Sequence, residues 1–192
     1  DDLAEAFKRC QAEAGAAFGN DAVYVERFID RARHIEVQVL GDGGDAPVHL
    51  WERECSLQRR NQKLVEVAPS PTLSEDTRQQ LLDAALRLAA KVGYRSLGTS
   101  EFLVDADESR FAFIEANPRL QVEHTVTEEI TGVDLVQAQL RVAGGASLAD
   151  LGLTRPPQPL GFAMQLRVNM ETMEASGEAR PAGGTLATFE PP

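Results

Sequence analysis

Two short segments carry the side chains best suited to chemistry, Glu101-Phe-Leu-Val104 and Phe113-Ile-Glu115-Ala-Asn117-Pro-Arg119-Leu-Gln121-Val-Glu123-His124. They read as a hairpin, Glu101–Val104 and Phe111–Ala116, joined by the polar stretch Asp105–Arg110. A turn centred near residue 108 sets Glu101 opposite Glu115, with Cβ atoms roughly 5 Å apart. Two carboxylates this close on apolar strands repel, so either one keeps a proton or a divalent cation sits between them. Hard oxygen ligands suit Mg²⁺ or Mn²⁺, ions that retain waters and bridge to phosphates. Asn117, two residues on, returns to the same face with a third oxygen. The plain alternative is a pair of solvated glutamates on an exposed sheet face. Pro118 then ends the ladder, and Arg119, Gln121 and Glu123 alternate with Leu120 and Val122. Three polar groups projecting one way can hold a small anion (Arg119), orient it (Gln121) and take its proton (Glu123), because a carboxylate near an arginine stays ionised.

Three other features are more open. Gln58-Arg-Arg-Asn61-Gln-Lys63 reads as an anion or phosphate clamp, a solvated face or a nucleic-acid patch, and the net charge of −11 argues against the last. Val25-Glu26-Arg27-Phe28-Ile29 is a strand running into a loop, an edge able to hold a planar base, or a surface Glu-Arg pair. Arg167 shares the polar face of a late strand with Gln165 and Asn169, where an exposed strand arginine is the bland reading. His34 and His124 read as structural or surface residues, and Trp51 and the phenylalanines as core. No glycine-rich phosphate loop is evident: Gly41–Gly44 has Asp42 and Asp45 beside it and sits in a hairpin turn.

The elements that must position these groups follow from periodicity. Leu3, Phe7, Cys10, Ala14 and Phe18 predict a helix ended by Gly19, and Val23–Phe28 a short strand. Ile35, Val37 and Val39 alternate with Glu36 and Gln38, which predicts a half-buried strand turning through Gly41–Asp45 into Val48–Trp51. Arg53–Lys63 has no clean period and reads as an ordered surface loop, followed by a strand at Leu64–Val67. Ser74 or Thr72 caps a helix with Leu81, Ala85, Leu88 and Val92 inward, closed by Gly93. Asp134 caps another, with Val133, Val136, Leu140 and Ala143 inward, before Gly144-Gly145. Arg155–Pro159 is a stiff connector, Phe162–Met170 a strand with one polar face, and Thr185–Phe189 is strand-like.

The whole chain of 192 residues, 43% hydrophobic and 26% charged, suits one domain or one domain and a piece of a second. No apolar run approaches about 18 residues, so no membrane span is expected. Cys10 and Cys55 form no metal or redox spacing, which reads as a reduced, cytoplasmic protein. An opening Asp-Asp inside a helical pattern and a closing Pro191-Pro192 read as the ends of an excised piece of a larger polypeptide.

Glu26-Arg27, Cys55–Lys63, Glu101-Phe-Leu and the run from Phe113 to Glu128 together resemble the biotin carboxylase component of biotin-dependent carboxylases, which includes acyl-CoA carboxylase α chains, pyruvate carboxylase and urea carboxylase. The Asn117-Pro-Arg-Leu-Gln-Val-Glu-His124 run is the specific part, separating that group from the carbamoyl phosphate synthetase large chain. The resemblance implies an α+β, partial ATP-grasp fold, mostly antiparallel sheet with flanking helices: 1–29 the tail of the small lid subdomain, 30–155 the main subdomain, 156–192 the start of a biotin carboxylase C-terminal domain. It implies metal binding by Glu101, Glu115 and Asn117, and ATP binding by Glu26, Arg27, Ile29, His34, Gln58, Asn61 and Leu103 with the two metal glutamates. Bicarbonate falls to Lys63, Arg119, Gln121 and the backbone of Val122, proton abstraction to Glu123, and biotin, with its enolate, to Arg167. The implied cofactors are ATP, Mg²⁺ or Mn²⁺ and biotin on a carrier outside this chain, with bicarbonate as substrate. The implied partners are carrier and carboxyltransferase domains or subunits in a homo-oligomeric parent, with neither nucleic acid nor membrane. Asn61 and Arg27 stand where that family often has histidine and lysine, and its glycine-rich loop and two ATP-contacting lysines lie before residue 1, so this chain alone is expected to be inactive. Another ATP-grasp carboxylate–amine ligase and a non-catalytic ATP-grasp remnant are the alternatives.

Overall fold

Alternating apolar residues from six segments assemble one antiparallel sheet. A computed structural model describes residues 2–44, 46–107 and 110–190, in one unit up to Asp30 and a second from Arg31. The expected turn centre at residue 108, the end of the Gly41–Asp45 turn, and Pro191-Pro192 lie outside the described residues.

The first unit holds α1 (Leu3–Phe18), as its spacing predicts. The Asp2 side chain accepts from the Ala4 amide at 3.0 Å, and Gly19 closes the helix at φ 69°. Val23–Phe28 is not a strand: its backbone is irregular, and no ladder partner for it exists among the described residues.

In the second unit β1 (Ala32–Asp42), β2 (Val48–Arg59), β3 (Gln62–Ala68), α2 (Glu75–Lys91), β4 (Arg95–Asp105), β5 (Phe111–Asn117), α3 (His124–Thr131), α4 (Leu135–Ala143) and β6 (Ala163–Leu166) follow in order. The strands align as β5-β4-β1-β2-β3-β6, and every adjacent pair is antiparallel. A separate ribbon pairs β7 (Glu171–Met173) with β8 (Ala179–Pro181). Of the strand predicted over Phe162–Met170 only the early part, Ala163–Leu166, forms, and Thr185–Phe189 forms no strand.

Arg53–Lys63 is not a loop. β2 runs through it to Arg59, Arg60 and Asn61 turn the chain with φ of 51° and 62°, and β3 returns. Two successive left-handed residues match the twist of a tight hairpin. Register shifts between Glu54 and Leu57 and between Leu57 and Gln58 erase the two-residue period. β1 is buried on both faces rather than one, since its polar face, with Glu36 and Gln38 at 0% exposure, is covered by Arg53.

One core packs Ile35, Val37, Val39, Phe102 and Val104 against Leu81, Leu82 and Ala85 of α2. A second, on the opposite face, joins Leu40, Leu50 and Leu97 to Leu135, Ala138 and Val142 of α4. Ser74 caps α2 and Asp134 caps α4, as predicted. The buried stripes are rotated from expectation, however: Val92 is 63% and Leu140 65% exposed, while Leu88 and Val136 are also exposed. The buried stripe runs instead through Leu81, Leu82, Ala85 and Ala89 in α2 and through Leu135, Ala138 and Val142 in α4. Among the phenylalanines only Phe102 is fully in the core, edge-on to Phe111 and Phe113, and Trp51 is half-buried with its indole donating to the Pro157 carbonyl at 2.7 Å.

Candidate active site

Glu101 of β4 and Glu115 of β5 are direct cross-strand partners, as the hairpin register predicts. A register shift after Glu101 pairs Phe102 with Phe113, so the simple register holds at the two acids and slips by one beyond them. The Asn117 amide nitrogen bridges both, 2.9 Å from an oxygen of each. Asn117 stands in the ladder opposite Thr99, on the same face. His34 of β1 approaches from the other side, with Nε2 2.5 Å from Glu101 Oε2. Its Nδ1 lies 2.8 Å from the Gln58 amide nitrogen, which can only donate, so the network assigns the ring proton to Nε2, where it donates to Glu101. Gln121 Nε2 also donates to Glu101, at 2.8 Å. Burial would raise the Glu101 carboxyl, but donation from His34 and Gln121 and the charge of Lys63 bring it down to about 2.

The donor set fits a hard divalent cation. Glu115 is exposed, Glu101 presents a charged carboxylate, and rotating the Asn117 carboxamide by half a turn exchanges its nitrogen for an oxygen at the same place. Glu101, Glu115 and Asn117 would hold Mg²⁺ or Mn²⁺ there.

Lys63 of β3 sits among three carboxylates: its Nζ is 2.6 Å from Glu36, 2.7 Å from Glu123 and 3.2 Å from Glu101. Burial disfavours its charge, but Glu36 and Glu123 more than reverse that and raise its pKa. Glu123 is engaged at both oxygens, by Lys63 at Oε1 and by Arg167 NH2 at Oε2, 2.8 Å away. Burial pushes the Glu123 carboxyl up, but hydrogen bonding and charge from Lys63, with Arg53 behind, hold it below the usual range. The cations that touch this acid are therefore Lys63 and Arg167, with Arg53 behind, and not Arg119. Pro118 ends the ladder as predicted, but the simple alternation of Arg119, Gln121 and Glu123 beyond it is corrected. The chain leaves the ladder after Asn117 and turns at Val122 and Glu123 into α3, a helix the sequence reading did not include. Gln121 and Glu123 end buried and Arg119 exposed, yet all three reach one cleft.

That cleft, about 450 Å³, is lined by His34, Gln58, Asn61, Lys63, Glu101, Glu115, Asn117, Arg119, Gln121, Val122, Glu123 and Arg167. Arg167, just past β6, is no exposed strand arginine: it is half-buried, with Nε 2.6 Å from Glu66. Leu103 is half-buried on β4, across the ladder from His34, and does not line the cleft. Glu26, Arg27 and Ile29 lie in the first unit on irregular backbone, with Glu26 and Arg27 exposed. Beneath the cleft is a support the sequence reading missed. Arg53, wholly buried, pairs with Glu36 and donates to Gln38 at 2.7 Å and Thr127 at 2.9 Å. Its signal was His34, Glu36 and Gln38 at every second position, a polar stripe in an apolar strand.

Comparison with known proteins places the chain in a family. Residues 1–151 match the family model described as carbamoyl-phosphate synthase L chain, ATP binding domain. Pyruvate carboxylase 1 of Caenorhabditis elegans is 54% identical over 190 residues, covering 98% of this chain and 16% of that protein. A Rhizobium etli pyruvate carboxylase structure with acetyl coenzyme A superposes with TM-score 0.85 at 45% identity, covering 96% of this chain and 17% of that one. The biotin carboxylase domain of Hydrogenobacter thermophilus 2-oxoglutarate carboxylase, a structure holding MgADP, ADP and bicarbonate, gives 0.78 at 42% identity over 87% of this chain and 36% of that one. The chain thus spans about a sixth of the pyruvate carboxylases it matches. By the matched residues and the shared fold, the chain belongs to the carbamoyl-phosphate synthase L chain ATP-binding family, with the ATP-grasp fold, and its relatives there are pyruvate carboxylases and biotin carboxylase domains.

Proposed function

We propose that this chain forms part of a biotin-dependent carboxylase and contributes to ATP-dependent carboxylation of biotin by bicarbonate. The single observation that carries the reading is Glu123, a buried carboxylate held by Lys63 and Arg167 in the same cleft as Glu101, Glu115 and Asn117. Lys63, Arg119, Gln121 and the Val122 amide hold bicarbonate, and the two cations lower the cost of removing its proton. Glu123 receives that proton. A bicarbonate oxygen then bonds to the γ-phosphorus as the bond to ADP breaks, giving carboxyphosphate, which splits into CO₂ and phosphate. Biotin on its carrier would accept that CO₂ at N1′ and give its N1′ proton to the phosphate, and Arg167 would offer its charge to the ureido group. A divalent ion on Glu101, Glu115 and Asn117 would neutralise phosphate oxygens.

Glu26, Arg27, Ile29, His34, Gln58, Asn61 and Leu103 are assigned to the nucleotide in this reading. Residues 1–29 form the tail of the lid subdomain, 30–155 the main subdomain and 156–192 the start of the C-terminal domain. The partners are a biotinylated carrier and a carboxyltransferase, in a homo-oligomeric, cytoplasmic enzyme. The Rhizobium etli relative, described as a complete multifunctional pyruvate carboxylase, supports such a multi-domain setting. The test is ATP cleavage by the full-length polypeptide that carries this chain. It is expected to require bicarbonate, to rise with free biotin, and to fall by about 10²-fold or more in Glu123→Gln, the loss typical of a removed general base. ATP cleavage indifferent to bicarbonate contradicts the reading.

A further inference from the structure

Glu66 has no part in the chemistry above, yet it is a wholly buried acid bonded to Arg167, which lines that cleft. It lies on β3, three residues beyond Lys63. Its Oε1 accepts from Arg167 Nε at 2.6 Å, while Oε2, also buried, has no hydrogen-bond partner among the described residues. Burial pushes its carboxyl up, and Arg167 opposes that. A buried acid with one partner and one orphaned oxygen is a poor stabilising device, since an apolar side chain of similar volume serves a fold as well or better. What it does provide is direction. The Arg167 backbone amide donates to the Leu64 carbonyl at 2.9 Å, so the β3–β6 ribbon carries both residues in fixed relation. With Nε on Glu66 and NH2 2.8 Å from Glu123 Oε2, two contacts on adjacent edges set the plane of the guanidinium, and neither uses NH1.

We propose that Glu66 is a positioning residue for Arg167, fixing its guanidinium so that NH2 steadies Glu123 and NH1 is left for the anionic substrate. The second half rests on the carboxylase reading; the first does not.

The test uses the full-length polypeptide that carries this chain, with Glu66→Gln and Glu66→Leu. Biotin-stimulated ATP cleavage is expected to lose about tenfold in kcat with Gln and about 10²-fold with Leu, the size of effect a small misplacement of a reacting group produces, with KM for ATP unchanged. In an Arg167→Ala background, Glu66→Leu is expected to add no further loss, which a merely structural residue would not show. A crystal structure of the Glu66 variant is expected to show the guanidinium turned away from Glu123. Full turnover in folded Glu66→Leu, losses that add to those of Arg167→Ala, or an unmoved guanidinium each overturn the proposal. The isosteric Gln variant carries the same measurements if the Leu variant does not fold. If the unaltered protein shows no bicarbonate-dependent cleavage, the carboxylase reading fails instead, and the crystal structure alone decides the positioning role.

Discussion

Glu101 gathers four donors, His34, Gln121, Asn117 and Lys63, around one buried carboxylate. Its pKa near 2, against an ordinary 4.5, makes it a stabilising charge above the ordinary value and a liability below it. Stability is expected to fall as pH drops from about 4.5 to about 2, with about 3 kcal/mol of the loss due to this group. Denaturant unfolding across that window checks it: Glu101→Gln should flatten the slope, and an unchanged slope counts against the assignment. Glu115 differs, being exposed, so its removal should spare the fold. Mn²⁺ added with ATP should raise the melting temperature of the unaltered protein, and Glu115→Gln should remove the part that depends on the ion, while an equal rise in both would place the metal elsewhere. The Glu101–Glu115 pair was legible in the sequence because a short hairpin fixes its own register. Glu36 and Glu66 were not, because a charge on a strand reads as solvent-facing until the cover over it is known, and Arg53 was not, because the stretch it opens shows no strand period.

At the scale of elements, the sites of misreading were places where tertiary structure overrode local pattern. Arg60 and Asn61 make a left-handed turn without glycine, and the bulged β2 hides its alternation, so a continuous hairpin looked like a loop. That hairpin carries Gln58, Asn61 and Lys63 to the cleft. α3 begins at His124, and its N-cap residue Glu123 makes no side-chain capping bond, which removes the usual start signal. Glycine at 41 was read simply as part of a turn, whereas it is a β1 residue pressed against another backbone. A Cβ there would lie 2.1 Å from the Tyr94 carbonyl oxygen, which cannot swing aside. Gly41→Ala is expected to cost about 3 kcal/mol or more, measured by chemical unfolding. A loss under about 1 kcal/mol would mean that the β1–β4 ladder yields there.

Across the whole molecule, the cleft draws residues from β1, β2, β3, β4, β5, the start of α3 and the end of β6, joining positions from His34 to Arg167. No local pattern reports such a gathering. It was accessible from sequence only through the motif run at Asn117–His124, and the strand order β5-β4-β1-β2-β3-β6 explains why those distant segments converge. In a chain of net charge −11, Lys63, Arg119 and Arg167 line this one cleft, a concentration of positive charge suited to the anions of the proposed function. In the proposed function the cleft delivers a deprotonated bicarbonate to the γ-phosphate of ATP. Cleavage of ATP by the full-length polypeptide with ¹⁸O-labelled bicarbonate tests it most directly. One labelled oxygen in each released phosphate is the predicted result; phosphate that takes its new oxygen from water would contradict the account.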